Sequence, residues 1–94
     1  MKVDELKEKL ASLRIRLRYI SRPEKYDYWK YEIILSNNVV FFLQIFTKGD
    51  FIQSIKFITH YVYNVLEKEN GTHIPCEDII ATMKKISTEL PKRR

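Results

Sequence analysis

A chain of 94 residues with 45% hydrophobic and 13% aromatic content is long enough to build one core and too short for two domains. The lone Cys76 excludes an internal disulfide, no apolar run approaches the ~20 residues of a membrane helix, and the charged start is no signal peptide. These features point to a soluble, cytoplasmic protein. The net charge of +5 is unevenly spread: residues 14–30 hold six basic and two acidic groups, residues 31–91 five and seven, and Lys92, Arg93 and Arg94 close the chain. Such asymmetry marks a surface suited to anions.

The first segment supports two readings. Val3, Leu6, Leu10, Leu13, Leu17 and Ile20 step by three and four, the spacing of a helical seam, with Asp4, Glu5 and Glu8 at its start. That helix would run to about Ile20 and break at Ser21-Arg22-Pro23. Within "RIRLRYI", however, apolar and basic residues alternate. A strand from Arg14 to Ile20 would turn Ile15, Leu17 and Tyr19 inward and the three arginines outward. It would also supply a third strand to a hairpin that needs one, so the strand reading is preferred.

"DYWKYEIILSNNVVFFLQIF" is aromatic and β-branched, and Asn37-Asn38 tolerates left-handed turn conformations. A two-residue loop would mix apolar side chains across both faces. A three-residue loop, Ser36 to Asn38, pairs Leu35 with Val39 and sorts them. Trp29, Tyr31, Ile33, Leu35, Val39, Phe41, Leu43 and Ile45 then share one face, and Tyr28, Lys30, Glu32, Ile34, Val40, Phe42, Gln44 and Phe46 the other.

"GDFIQSIKFITHYVYNVLEKENG" reads as a long helix. Asp50 serves as N-cap with Gln53 three residues on, Asn70-Gly71 as C-cap, and Phe51, Ile52, Ile55, Ile58, Val62, Val65 and Leu66 form a stripe. A final helix is expected from about Pro75, with Cys76, Ile79, Ile80, Met83, Ile86 and Leu90 on its apolar face and Pro91 as its stop.

The expected architecture is an α+β domain over residues 1–90 with a basic tail at 91–94: a helix, a three-stranded antiparallel sheet and two C-terminal helices, packed on one sheet face. That order resembles the double-stranded-RNA-binding domain over about residues 3 to 70. The resemblance is in element order. That family's lysine cluster at the start of the last helix is missing from "TKGDFIQSIK", which offers Lys48 and Lys56 around Asp50, so no site residue is carried over.

The uncovered sheet face would set cations beside rings, which suits nucleic acid. Guanidinium and ammonium groups neutralise phosphates, and rings stack on unpaired bases. Arg14, Arg16, Arg18, Arg22 and Lys30 are the expected phosphate contacts, with Tyr28, Phe42 and Phe46 as stacking platforms. The rival reading is a protein–protein module, a homodimer or an inhibitor docking on a larger partner. The Lys-, Ile- and Tyr-rich, glycine-poor composition resembles accessory proteins of viruses and plasmids with AT-rich genomes, which would place it in host cytoplasm.

Catalysis is not expected. His73 and Cys76 beside Glu77 and Asp78 lack the ligands of a structural zinc site, and Cys76 reads as a small packed residue. His60 reads as a surface histidine, and two glycines leave no phosphate loop. No metal or cofactor is implied.

Overall fold

In the computed structural model of the chain, which describes residues 1–23 and 27–90, the elements are helix α1 (Val3–Ala11), strands β1 (Arg16–Ser21), β2 (Tyr28–Ile34), β3 (Val40–Lys48) and β4 (Phe51–Phe57), a short helix α2 (Tyr61–Leu66), strand β5 (Ile74–Pro75), a 3₁₀ turn (Cys76–Asp78) and helix α3 (Ile79–Glu89). The five strands form one antiparallel meander in the order β1-β2-β3-β4-β5.

This corrects the expected three-stranded sheet with two C-terminal helices. The segment expected as a long helix is β4 followed by the six-residue α2. Two local features hid the strand. Lys48 pairs with Phe51 around Gly49-Asp50, and Gly49 at φ 61 supplies the left-handed first position of a type II′ hairpin turn. Then a bulge intervenes: Thr47 faces Ile52 and Phe46 faces Ser54, leaving Gln53 as the extra residue. The bulge resets the alternation, so Ile52 and Ile55 both point inward although three residues apart. Strand residues at that spacing imitate a helical stripe. With a fourth strand in place of the helix, the element order no longer matches that of the double-stranded-RNA-binding domain.

The start of the chain combines both readings. α1 buries Leu6 and Leu10, and its last turn closes with Ile15 N–H donating to Leu10 O (2.9 Å) and Arg14 N–H to Ala11 O (3.0 Å). This pair of bonds is a Schellman motif, with Arg14 at φ 60 where glycine usually sits and an apolar contact between buried Ile15 and Leu10. The chain therefore reverses at Arg14 and enters β1 two residues later than expected. α2 ends the same way, with Glu67 at φ 56 and Lys68 N–H donating to Tyr63 O.

The β2–β3 hairpin adopts the three-residue loop. Leu35 N–H donates to Val39 O (2.9 Å), Asn38 N–H to Leu35 O (3.0 Å), and Asn38 takes φ 66, which is a type I turn closed by a left-handed residue. The register runs from Tyr28↔Phe46 to Ile34↔Val40, so the two faces divide as the sequence pattern requires.

All three helices pack on the face that carries Tyr31, Ile33, Phe41, Leu43, Ile45, Ile55 and Phe57, and the buried residues of helices and sheet form one cluster. α3 contributes Ile79, Met83 and Ile86, as its spacing predicts, but it starts after the 3₁₀ turn because Pro75 is used in β5, paired with Ser54. Buried Tyr63 ties the far end of the sheet together: its hydroxyl accepts from Phe57 N–H (2.9 Å) and donates to Thr72 O (3.0 Å). The expected stop at Pro91 and the basic tail lie outside the described residues.

Candidate nucleic-acid interface

The opposite sheet face carries no helix, and none of its residues is buried. Directly paired residues share a face, so the register assigns its members. β1 contributes Arg16, Arg18 and Ser21; β2 Tyr28, Lys30, Glu32 and Ile34; β3 Val40, Phe42, Gln44, Phe46 and Lys48; and β4 Phe51, Ser54 and Lys56. His73 joins from the approach to β5. The pattern sets five permanent cations, Arg16, Arg18, Lys30, Lys48 and Lys56, against one strand carboxylate, Glu32.

The carboxylate is already engaged. Arg18 Nε lies 3.2 Å from Glu32 Oε1, and Arg18 Nη2 donates to Oε2 at 3.5 Å. Among the described residues this is the one ion pair within 4 Å, and Arg16 beside it is exposed with no acidic partner. Lys30 Nζ stands 5.8 Å from the Phe42 ring centroid, close enough for a cation–π attraction. Below them the rings adjoin: Tyr28 to Phe46 at 5.6 Å and Phe46 to His73 at 4.9 Å, both tilted. His73 Nδ1 shares a hydrogen bond with Ser54 Oγ at 3.2 Å.

Six of the eight expected contacts therefore lie on one face: Arg16, Arg18, Lys30, Tyr28, Phe42 and Phe46. Arg14 does not, because it occupies the left-handed turn before β1. Arg22 does not either: its guanidinium stacks 4.7 Å above Trp29, a ring on the helix-covered side. Leu17 and Tyr19 pair with buried Ile33 and Tyr31 and so share the inward face with Ile15, but only Ile15 is buried: Leu17 is half-covered and Tyr19 49% exposed on this outermost strand.

Lys56, Ser54 and His73 were missed as site residues. Reading residues 50–70 as a helix put Lys56 on its polar side and left His73 in a loop. The signal that could have found them was Lys48-Gly49-Asp50-Phe51, read as a two-residue hairpin turn instead of a helix cap.

The structure separates the groups once weighed for catalysis. His73 lies on the open face, Cys76 opens the 3₁₀ turn half-buried, and His60 precedes α2. Among the described residues no cluster of three or more His, Cys, Asp or Glu could hold a metal, and no helix is long and apolar enough to cross a membrane. A 620 Å³ cleft opens beside the hairpin tip, lined by Val40, Tyr61, Asn64 and Leu90 among others. Among the described residues lining it, Tyr61 carries the only titratable side chain. Compared with known proteins, the chain matches no family model, no curated protein and no solved structure.

Proposed function

We propose that the chain is a non-enzymatic binding module that holds nucleic acid on the open face of its sheet. The observation that carries this reading is the composition of that face. Among its strand residues Arg16, Arg18, Lys30, Lys48 and Lys56 oppose Glu32 alone, and they interleave with Phe42, Phe46 and His73 while the helices pack on the other side. Cations at this density recruit phosphates and release their counterions, and neighbouring rings bind bases. A purely structural surface has no need for partly exposed rings grouped beside cations.

The test is fluorescence anisotropy with labelled oligonucleotides across a salt series. Affinity falls steeply with salt, and Arg16→Glu weakens it at every salt concentration. Binding that ignores both salt and that charge reversal sinks the proposal.

A protein–protein module, either a homodimer or an inhibitor docked on a larger partner, rests on a separate observation. Tyr19 and Ile20 are exposed at 49% and 37% on the outermost strand, whose outer edge offers unpaired backbone groups. That reading expects a dimer by light scattering, or a stoichiometric protein partner, without response to nucleic acid.

A further inference from the structure

We infer that the ligand of the open face is single-stranded RNA lying across the strands, its backbone over Lys30, Gln44 and Lys56 and its bases over Phe46 and His73. This inference rests on the reading of the face as a nucleic-acid surface, and adds the ligand class and its path.

Lys30 pairs with Gln44, and Gln44 with Lys56, on three adjacent strands. Their side chains form a line perpendicular to the strands, about 10 Å from end to end at ~4.8 Å per strand. Two residues along each strand, roughly 7 Å away, runs a parallel line: Tyr28, Phe46 and Ser54. His73 leans into this second line, its ring 4.9 Å from Phe46 and its Nδ1 3.2 Å from Ser54 Oγ. Tyr28 buttresses Phe46 from the other side at 5.6 Å. The Lys56 stem lies along Gly71, where an added Cβ would come within 3.5 Å of its Cε, so the ammonium is carried on a supported arm.

A polynucleotide has this layout, with phosphates in one row and bases in the next. Two lysines neutralise two phosphates, while Phe46 and His73 present ring faces to bases. Only unpaired bases expose theirs. A duplex is also the wrong shape: the B-form DNA major groove, ~12 Å wide, admits a helix or a two-stranded ribbon, and the A-form RNA major groove is narrower still. Five strands span about 19 Å and stay outside both. The choice of RNA follows from Gln44. It stands between the lysines with both a donor and an acceptor, which complements a 2′-hydroxyl that also donates and accepts. The Ser54 hydroxyl adds a second such group between the two lines.

The experiment compares a fluorescein-labelled single-stranded 12-mer RNA, the same sequence as DNA, and the RNA duplex, by anisotropy with the full chain. Single-stranded RNA binds tightest. Phe46→Leu, which keeps apolar bulk and removes the ring face, weakens it roughly 5- to 150-fold. Lys56→Gln flattens the slope of log affinity against log salt by about 0.7, the share of one phosphate on a single strand. Gln44→Leu brings RNA affinity down to the DNA level. Far-UV circular dichroism matching the parent certifies each variant's fold, and His73→Ala replaces Phe46→Leu should the latter fail to fold. Equal binding of duplex or of DNA overturns the inference. So does parental behaviour of the Phe46 and Lys56 variants while Arg16→Glu still weakens binding; the broader nucleic-acid reading then stands. No salt-dependent binding to any of the three removes both.

Discussion

Tyr63→Phe deletes one oxygen from the interior and should cost far more than its size suggests. The Tyr63 hydroxyl accepts from Phe57 N–H at 2.9 Å and donates to Thr72 O at 3.0 Å, bridging the end of β4 to the loop that enters β5. Phe57 is 1% exposed and Tyr63 0%, so no water replaces the lost acceptor. An orphaned buried donor costs about 1–3 kcal/mol, and the lost bond to the half-exposed Thr72 carbonyl roughly another 0.5–1. The sum, about 1.5–4 kcal/mol, corresponds to a fall in Tm of roughly 6–30 °C for a domain this small. Thermal and urea unfolding followed by far-UV circular dichroism measure it. Tyr61→Phe is the internal control, because its hydroxyl donates to Val40 O at 3.3 Å from an exposed position, and a change within about 0.5 kcal/mol is expected. If the two variants unfold alike, the Tyr63 hydroxyl does not clamp β4 to the loop before β5.

Burial, the largest influence on both groups, raises the pKa of Tyr63 and of Tyr31 above 10.0, so the folded state keeps protons that the unfolded state releases. Their contribution is complete below pH ~10 and is lost as pH rises beyond it; alkaline unfolding curves should show that decline, shallower in Tyr63→Phe. Arg14→Gly should raise stability by about 0.5–1 kcal/mol, because φ 60 suits glycine; a loss measured by urea unfolding would contradict the Schellman assignment. The same substitution should leave nucleic-acid affinity within about twofold, as one exposed charge off the open face is largely screened. Glu32→Gln frees Arg18 and removes the face's carboxylate, so affinity for nucleic acid at low salt should rise by up to about fivefold, the Coulomb worth of a unit charge at contact in water. Stability should change by less than about 1 kcal/mol, since the Arg18 side chain is 67% exposed. Titration by anisotropy reads the first and urea unfolding the second; unchanged binding by Glu32→Gln would show that the ligand avoids β1 and β2, and weaker binding would refute the electrostatic reading of the face.

By itself, the sequence determined what short-range chemistry determines. The β2–β3 hairpin register followed from sorting apolar and polar side chains across a loop that needed a left-handed residue, and Asn38 takes that conformation. The apolar spacing of α3 and the alternation of β1 were equally local. Two helix ends were illegible because Arg14 and Glu67 hold conformations that ordinarily announce themselves with glycine. β4 was obscured because a bulge gives strand residues a helix-like spacing; the Gly49-Asp50 turn signals the strand, and pairing with β3 reveals the bulge. The tertiary structure also decided the composition of the candidate site. Ser54, Lys56 and His73 reach the same face as Lys30 and Phe46 through pairings across β3, β4 and β5, contacts that no single segment encodes.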